Sequence, residues 1–305
     1  MITALAGGVG AARFLSGLVK IIDEKDLSVI VNTGDDMQLY GLHISPDVDI
    51  VSYTLAGIVN EAKGWGIKDD SFNFLSSLKG LGYETWFNLG DRDLATHMYR
   101  TLKLKQGLTL TQIAKEVSTS LGVKATILPM TNDPFETHIT TKDGLMHFEE
   151  YFVKKGSADE VLKITFAGSE NANPSEEVLG SIKNAETILI CPSNPVVSIG
   201  TILCLKGVHD ALKQTCARKI AISPIVAGAP IKGPADKMLR NLGLDVSAYS
   251  VAKLYADFLD VFIIDNADAN QKQHIEQLGL EVKVTNTIMK TPEDKISLAK
   301  FALTA

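Results

Sequence analysis

The sequence contains no long hydrophobic run, and this excludes several classes of protein. No apolar stretch is long enough to cross a bilayer, and no basic segment precedes the first apolar residues as it does in a signal peptide. We therefore expect a cytoplasmic protein without a membrane partner. With 305 residues, 45% of them hydrophobic, the chain is long enough and apolar enough to bury a large core, which excludes a disordered protein.

Basic clusters and cysteines are also scarce. The 30 Lys and Arg residues are outnumbered by 36 Asp and Glu residues, the net charge is −6, and no cations gather into a stripe. A nucleic-acid backbone calls for such a stripe, so we exclude nucleic acid as a partner. The 3 cysteines, Cys191, Cys204 and Cys216, lack metal-ligand spacing, which predicts reduced structural thiols.

The most informative stretch is the first, where a short apolar strand enters a helix through a glycine-rich turn. Gly7, Gly8 and Gly10 follow the strand, and an apolar pattern of helical period begins at Phe14. Such a turn leaves backbone N–H groups free at the helix start and allows a phosphate to come close. The spacing matches neither G-x-G-x-x-G nor the P-loop pattern, and a turn whose glycines only relieve crowding is the alternative. We favour a nucleotide phosphate site.

Acidic residues follow the second predicted strand, residues 27–32. The strand–helix–strand order predicts a parallel pair with a right-handed crossover, and ligands of such sheets bind at the carboxyl ends of the strands. Asp35 and Asp36 are therefore expected at the same sheet edge as the glycine turn. Asp47 and Asp49 begin a helix after Ser45-Pro46, so helix capping explains them equally well.

Several carboxylates that converge on one edge repel one another unless a cation separates them. Oxygen ligands suit Mg²⁺, which also bridges substrate phosphates. We therefore predict a magnesium site formed by Asp35, Asp36, Asp47 and Asp49.

Residues 58–122 are mostly of helical pattern, interrupted around Trp86. Trp86 and Phe87 are suited to stacking on a flat heteroaromatic ligand, while Asp91, Asp93 and His97 enter a helix. A capped helix with a solvated acidic cluster is the alternative, and the spacing does not decide between them. Residues 136–154 are β-prone with a hairpin turn at Lys142-Asp143-Gly144, and His147, Glu149 and Glu150 alternate with apolar residues as on an exposed strand face. We therefore gave these three no catalytic role.

The parallel pattern returns after residue 186. One strand runs into a turn that contains Ser193, Asn194 and Ser198, groups suited to phosphate or ribose hydroxyls, although a merely proline-ordered loop is as good an explanation. Besides Arg13, the cations on the predicted strand-end loops are Lys232 and Lys237, which could meet an anionic group of the substrate. The pattern predicts an α/β fold: a Rossmann-like parallel sheet flanked by helices, as a single domain over 1–305. A mainly helical and β-hairpin insertion is expected around 58–180.

Taken together, these loops resemble the CofD family, the 2-phospho-L-lactate transferases of deazaflavin coenzyme F-420 biosynthesis. The resemblance spans nearly the whole chain in the family's order. Its segments are 7–13 (GGVGAAR), 32–36 (NTGDD), 44–49 (ISPDVD), 65–67 (WGI), 89–97 (LGDRDLATH), 192–195 (PSNP), 223–226 (SPIV) and 232–237 (KGPADK).

The resemblance implies a reaction that composition and spacing did not show. A guanosine-diphosphate-linked lactate donates its 2-phospholactyl group to the ribityl hydroxyl of the deazaflavin Fo, with release of GMP and a need for Mg²⁺. By the family pattern, Asp49 and Asn88 correspond to positions that contact Fo. The implied reaction fits the predicted fold. The glycine turn and the 192–200 loop would hold the guanosine diphosphate, and Trp86 and Phe87 would lie near a flat-ring site.

From these expectations we assigned roles to the candidate residues. Asp91 or Asp93 would orient or deprotonate the attacking hydroxyl, because displacement at phosphorus needs alignment and charge neutralisation more than covalent chemistry. The predicted substrate-binding residues are Asp49, Asn88, Gly7, Gly8, Gly10, Arg13, Trp86, Ser193, Asn194, Ser198 and Lys232.

Two other functions were weighed. A nucleotide-sugar-binding regulatory protein of the related gluconeogenesis-factor branch would share the glycine turn but would not need the acidic segment 89–97. A nicotinamide-dependent oxidoreductase is disfavoured, because the glycine spacing is wrong and the second strand does not end in a lone acidic residue. The sequence does not decide whether the donor carries phospholactate or phosphoenolpyruvate. A homodimer is one option for the assembly.

Overall fold

Strands and helices alternate along most of the chain, as the sequence predicts. The computed structural model describes residues 1–305. Its strands are β1 (Ile2–Ala6), β2 (Leu27–Val31), β3 (Met37–Leu39), β4 (Leu42–Ile44), β5 (Thr126–Pro129), β6 (Glu136–Thr141), β7 (Gly144–His147), β8 (Lys163–Ala167), β9 (Thr187–Ile190), β10 (Arg218–Ile222), β11 (Ile225–Val226), β12 (Ala229–Pro230), β13 (Val261–Asp265) and β14 (Glu281–Thr285). The helices are α1 (Gly8–Leu18), α2 (Pro46–Leu55), α3 (Asn73–Gly80), α4 (Asp91–Lys105), α5 (Leu110–Ser120), α6 (Glu176–Lys183), α7 (Ile199–Leu203), α8 (Val208–Gln214), α9 (Ala235–Asn241), α10 (Ala248–Tyr255), α11 (Lys272–Glu276) and α12 (Pro292–Thr304).

The central sheet has seven strands in the order β14-β13-β10-β9-β1-β2-β5. Every neighbouring pair in it is parallel, and β1 pairs with β2 on one side and with β9 on the other. The chain therefore builds outward from β1 in one direction and later returns to build in the other. A crevice for ligands forms where such a strand order reverses, at the carboxyl ends of the strands, which here is the junction of β1 and β9. The predicted α/β fold with a parallel sheet is confirmed.

Both faces of the sheet are covered, because the strand residues alternate between two buried cores. Leu5, Ile30 and Ile188 belong to one core, whereas Ala4 and Val29 belong to the other. The second core contains the apolar faces of α1, α2 and α12, and the three helices pack side by side. A strand that is apolar on both faces is typical of a parallel sheet between two helical layers. This packing holds the start of α1 and the start of α2 firmly at one sheet edge.

Residues 58–180 are divided by β5, which pairs with β2 in the central sheet. The helices α3, α4 and α5 precede it, and a small antiparallel sheet of β7, β6 and β8 follows it. The single domain with one insertion stays a prediction, but the stretch 58–180 is not wholly separate from the core. The hairpin turn at 142–144 is found as predicted, and Thr109 and Gln112 form a capping box at the start of α5.

The β-prone segment 136–154 does not remain extended to its end. Residues Glu150–Lys154 form a single π-helical turn instead. Phe148 and Tyr151, three residues apart, are both buried, a spacing that fits a helical turn and not the alternation of a strand. This turn points Glu149 inward, against our expectation of an exposed face.

No helix of the structure combines the length and the apolar character that crossing a bilayer demands. The cytoplasmic location stays a prediction.

Candidate functional site

A cavity of about 600 Å³ lies at the carboxyl ends of the central strands, next to the junction of β1 and β9. Its wall brings together thirteen of the sixteen residues predicted for the site. They are Gly7, Gly8, Gly10, Arg13, Asp35, Asp47, Asp49, Asn88, Asp93, Ser193, Asn194, Ser198 and Lys232. The predicted residues that do not line the cavity are Asp36, Trp86 and Asp91.

The glycine turn forms the part of the wall at the N-terminus of α1. A β carbon on Gly10 would lie 2.2 Å from the carbonyl oxygen of Pro192, and one on Gly7 would lie 2.7 Å from the Cβ of Ser198. These two glycines therefore serve close packing against the loop after β9, as the crowding explanation supposed. Gly8 differs, because it has a φ of +70° and a β carbon there would find its nearest neighbour at 3.9 Å. The turn thus keeps an open face toward the cavity at Gly8.

The loop after β9 is ordered mainly by its own asparagine. Asn194 Oδ1 accepts hydrogen bonds from the backbone N–H groups of Val196 and Val197, at 3.0 and 3.3 Å. The Ser193 hydroxyl, by contrast, is buried and has no hydrogen-bond partner in the protein. Unpaired buried hydroxyls cost free energy, so Ser193 is the side chain of this loop that most needs a ligand.

Three buried carboxylates meet beside the glycine turn. Asp35 follows β2, Asp47 begins α2, and Glu149 precedes the π-helical turn; all three line the cavity. Burial raises the pKa of Asp35 well above its usual range, and the nearby charges of Asp47 and Glu149 raise it further. Burial likewise raises the pKa of Asp47 to about 6, against a hydrogen bond from Asn32, and that of Glu149 to about 8. These carboxylates therefore crowd one another, as the sequence led us to expect for an acidic edge.

Glu149 is the functional candidate that sequence reasoning missed. Its neighbours alternate in polarity, and this pattern suggested an exposed strand face. The one signal that could have revealed it is the spacing of Phe148 and Tyr151, which indicates a helical turn.

Asp35, Asp47 and Glu149 supply the kind of oxygen ligand that a divalent cation binds, although the ligand atoms that already lie within 4.8 Å of one another are those of Asp49, Asp93 and His97. Oδ1 of Asp35 is buried and has no hydrogen-bond partner, whereas Oδ2 of Asp47 accepts a hydrogen bond from Asn32 at 2.9 Å. An all-oxygen set with an unpaired carboxylate oxygen is the chemistry that Mg²⁺ favours. Asp35, Asp47 and Glu149 could therefore hold the cation.

Asp36 faces away from the cavity, so its place in the predicted metal site needs correction. Its carboxylate accepts hydrogen bonds from the Ser45 hydroxyl at 2.7 Å and contacts the His43 Nε2 at 2.9 Å. Both of its oxygens are thereby used to fix the β4–α2 connection. Asp36 therefore stabilises the connection between β4 and α2, and its side chain does not line the cavity.

A second group of charged side chains forms the cavity floor between α2 and α4. Asp49, Asp93 and His97 offer ligand atoms within 4.8 Å of one another, a separation that could suit a metal ion. However, the Arg100 guanidinium binds the Asp49 carboxylate directly and already supplies a positive charge there. We therefore assign no cation to this group and separate Asp49 from the metal residues predicted with it.

Asp93 has a lowered pKa within this floor. Burial on its own raises the pKa of Asp93, but the contacts with His97 and the hydrogen bond from the Tyr53 hydroxyl hold it below the usual value. The Tyr53 hydroxyl donates to Oδ1 at 2.8 Å, and His97 Nε2 lies 3.3 Å from the same oxygen. Asp93 therefore presents an ionised carboxylate to the cavity.

Asp91 occupies a different position from Asp93. Its carboxylate accepts hydrogen bonds from the Ser71 hydroxyl at 2.6 Å and from the backbone N–H groups of Asn73 and Phe74 at 3.0 Å. The Ser71 hydroxyl and these N–H groups lower the pKa of Asp91 to about 2. Asp91 thus caps the start of α3, outside the cavity.

Four aromatic side chains line the cavity, and we call them the aromatic wall. They are Phe87, Trp65, Phe148 and Phe152, of which the last two stack at 5.7 Å. Of the two residues predicted for a flat-ring site, Phe87 lines the cavity, whereas Trp86 does not and lies edge-on to Phe87 at 5.5 Å. The flat-ring site itself stays a prediction.

Cations complete the wall next to the glycine turn. Arg13 and Lys232 both line the cavity, and neither forms a salt bridge. Burial lowers the pKa of Lys232, and the nearby charge of Arg13 lowers it further. Lys237 is not part of this pair, because its ammonium donates to the backbone carbonyls of Ser157, Ala158 and Asp159. Cations and the Asp47 carboxylate therefore both border the glycine turn.

Comparison with known proteins identifies the family to which this arrangement belongs. The family model described as 2-phospho-L-lactate transferase CofD matches residues 2–296. The chain belongs to the CofD family. The 2-phospho-L-lactate transferase of Methanocaldococcus jannaschii is 41% identical over 304 residues, covering 98% of this chain and 96% of the relative. A protein of Kitasatospora aureofaciens named phosphoenolpyruvate transferase is also 41% identical, over 310 residues that cover 99% of this chain and 96% of the relative.

Among solved structures, a UPF0052 family member from Bacillus halodurans has a TM-score of 0.66 at 16% identity. The match covers 99% of this chain and 98% of that protein. At this level of identity the likeness concerns the fold alone, and it agrees with the parallel sheet described above. The relatives from Methanocaldococcus jannaschii, Methanosarcina mazei and Kitasatospora aureofaciens are each named as transferases, which supports transferase activity for this family member.

Proposed function

We propose that this CofD family chain transfers the 2-phospholactyl group of lactyl-2-diphospho-5′-guanosine to the ribityl hydroxyl of the deazaflavin Fo. The products are coenzyme F-420-0 and GMP. The observation that carries the proposal is that one cavity combines three kinds of group. A glycine turn with two cations, buried carboxylates and aromatic side chains all line it.

The guanosine diphosphate is placed at the glycine turn. Backbone N–H groups at the start of α1 stabilise phosphate oxygens, and Arg13 and Lys232 add positive charge beside them. The hydroxyl and amide groups of Ser193, Asn194 and Ser198 line the adjacent wall, where they can contact ribose or phosphate oxygens. The nucleotide is then held before the reaction in the position that displacement requires.

Asp35, Asp47 and Glu149 would hold Mg²⁺. When bound there, Mg²⁺ would neutralise negative charge on the diphosphate and on the departing GMP. Asn32 keeps Asp47 in place through its hydrogen bond, and the Gly8 N–H also stabilises the Asp47 carboxylate. The carboxylates are thus oriented toward the same point as the glycine turn.

Fo is placed on the aromatic wall, with its ribityl chain toward the floor. Phe87 and Trp65 offer flat faces to the deazaflavin ring, and Asn88 and Asp49 border the same region. Asp93 is the proton acceptor for the attacking hydroxyl, because its carboxylate lines the cavity and its lowered pKa keeps it ionised. Asp91, the other catalytic candidate, is proposed to act only on the stability of α3.

The three-carbon acid of the donor has two candidates, phospholactate and phosphoenolpyruvate. Relatives named for phospholactate and for phosphoenolpyruvate are equally similar to this chain, at 41% identity each. We propose phospholactate because several of the similar relatives carry that name, and we include both donors in the test.

The test is a transfer assay with the purified protein, Fo, Mg²⁺ and either guanosine-diphosphate-linked donor. We expect GMP release and formation of the F-420-type product, with dependence on Fo. Asp93→Asn should remove most of the turnover, whereas Asp91→Asn should retain it. The proposal would be overturned if GMP release did not depend on Fo, and tight binding of a nucleotide sugar without any transfer would favour the regulatory alternative.

A further inference from the structure

Arg100 lies beneath the cavity floor and connects residues that the proposed function uses. It belongs to α4, is 3% exposed and does not line the cavity. Its Nη2 donates to the Asp49 carboxylate, while its Nη1 lies 3.1 Å from His97 Nδ1 and 3.4 Å from the His43 carbonyl oxygen. One guanidinium therefore contacts three separate parts of the floor.

The contact with His97 bears on where that imidazole carries its proton. A guanidinium can only donate hydrogen bonds, so its 3.1 Å contact with His97 Nδ1 assigns the acceptor role to Nδ1, in preference to donation from Nδ1 toward Asp49 Oδ2, 3.4 Å away. The neutral imidazole then has its proton on Nε2. That nitrogen lies 3.3 Å from Oδ1 of Asp93, without the geometry of a hydrogen bond. Arg100 thus favours the tautomer that places the N–H of His97 beside the carboxylate that we propose as proton acceptor.

The same arrangement holds one oxygen of each carboxylate. The Tyr53 hydroxyl donates to Oδ1 of Asp93, and His97 Nε2 lies 3.3 Å from that oxygen. On Asp49, the guanidinium binds Oδ1, whereas Oδ2 has no hydrogen-bond partner and lies 3.4 Å from His97 Nδ1. These contacts limit the rotation of both carboxylates.

We propose that Arg100 is a positioning residue for phosphoryl-group transfer, which acts by holding Asp49 and by fixing His97 in the Nε2–H tautomer that faces Asp93. The inference rests on the proposed function for its effect on turnover, but the tautomer of His97 does not depend on that function. Arg100 itself touches neither substrate, since it does not reach the cavity.

A spectroscopic experiment tests the tautomer. In the protein labelled with ¹⁵N-histidine, the His97 signals are assigned by comparison with His97→Gln. We expect an unprotonated Nδ1 and a protonated Nε2 in the wild type, and a loss of this single tautomer in Arg100→Lys, because an ammonium cannot bind Asp49 and His97 through a planar fork. A proton on Nδ1 of His97 in the wild type would overturn the inference.

A kinetic experiment tests the effect on transfer. Arg100→Lys is expected to lower kcat by about 10- to 100-fold, because small misplacements of reacting groups have effects of that size, with less than about a twofold change in the KM of the nucleotide donor. The matched control is Arg92→Lys on the same helix, whose exposed side chain contacts only the Lys68 carbonyl oxygen. Equal kcat values for the two lysine variants would overturn the proposal.

A second pair of variants covers the case in which Arg100→Lys does not fold. In His97→Gln the side-chain amide can replace the Nε2–H donor, whereas in His97→Asn it replaces only Nδ1. We expect His97→Gln to retain at least tenfold more kcat than His97→Asn at equal thermal stability, and the reverse order would contradict the proposal. If the wild-type protein shows no transfer to Fo, the proposed function fails, and the histidine spectrum still decides the inference about Arg100.

Discussion

Gly10 and Pro192 are in direct contact, so closely that a β carbon on Gly10 would lie 2.2 Å from the Pro192 carbonyl oxygen. The contact joins the first turn of α1 to the loop that follows β9. Because these two segments form adjacent walls of the cavity, the width of the nucleotide end depends on the absence of a side chain at one position.

Gly10→Ala should therefore destabilise the protein and weaken nucleotide binding together. Real β carbons essentially never come this close to a carbonyl oxygen, so the backbone of α1 or of the loop must shift, at about 1–3 kcal/mol by analogy with overpacked cores. Urea unfolding and GDP titration measure the two effects. Gly80→Ala is the control, since a β carbon at Gly80 meets nothing within 4 Å. An unchanged unfolding midpoint for Gly10→Ala would contradict the described contact.

Glu149→Gln should separate the stability of the metal-free protein from its affinity for Mg²⁺. The substitution removes one of three mutually repelling buried carboxylates, so the melting temperature in EDTA should rise or stay unchanged. Affinity for Mg²⁺ should fall about 10- to 100-fold, as is typical when a metal site is perturbed.

Melting curves in EDTA and over a series of MgCl₂ concentrations measure both quantities for Glu149→Gln. Glu150→Gln is the matched control, because its carboxylate pairs with Lys154 and does not line the cavity. If the two variants respond to Mg²⁺ in the same way as the wild type, Glu149 is not a ligand.

Asp91→Ala should lower the melting temperature by a few degrees while leaving kcat close to the wild-type value. The change removes the acceptor for the N-terminal N–H groups of α3. The pKa of Asp91 in the folded protein, about 2, is below its usual value, so its stabilising effect is present above about pH 4. That effect is lost as the pH falls through the folded pKa.

Guanidinium unfolding of the wild type and Asp91→Ala at several pH values tests this expectation. The difference in midpoint should be largest near pH 7 and should narrow as the pH falls from about 4 toward 2. A loss of turnover in Asp91→Ala without any loss of stability would return Asp91 to the catalytic candidates.

Lys232→Met should affect nucleotide affinity and Lys237→Met should affect stability, although the two lysines are close in sequence. Lys232 lines the cavity beside Arg13, so its substitution should raise the Kd for GDP about tenfold. Lys237 binds backbone carbonyls of residues 157–159, so its substitution should lower the melting temperature and leave the Kd for GDP unchanged. Calorimetric titration with GDP and thermal melts distinguish the two, and equal Kd values for both variants would refute the anion site.

Much of the cavity could be predicted from the sequence because parallel strands place their carboxyl ends together. The glycine turn follows β1, Asp35 follows β2, and the loop with Ser193 follows β9, so the strand order alone brings them to one edge. This reasoning needs only the recognition of buried strands, which are short and apolar here.

The remaining residues could not be assigned because their roles depend on partners far away in the chain. Asp91 and Asp93 have the same local pattern, yet Ser71 engages the first and Tyr53 the second. Glu149 was mistaken for a surface residue because its segment changes from strand to π-helical turn, and only tertiary packing decides that change. No sequence pattern indicated a role for Arg100, because its partner Asp49 lies 51 residues away in the chain.

The cavity wall draws on the chain from Gly7 to Lys290. During synthesis on a ribosome, the first strand and its turn emerge long before the segment that carries Lys290. A nascent chain that still lacks this last segment has an unfinished pocket. If the cavity binds a guanine nucleotide as proposed, that ligand stabilises the near-complete polypeptide and not the early intermediates of its synthesis.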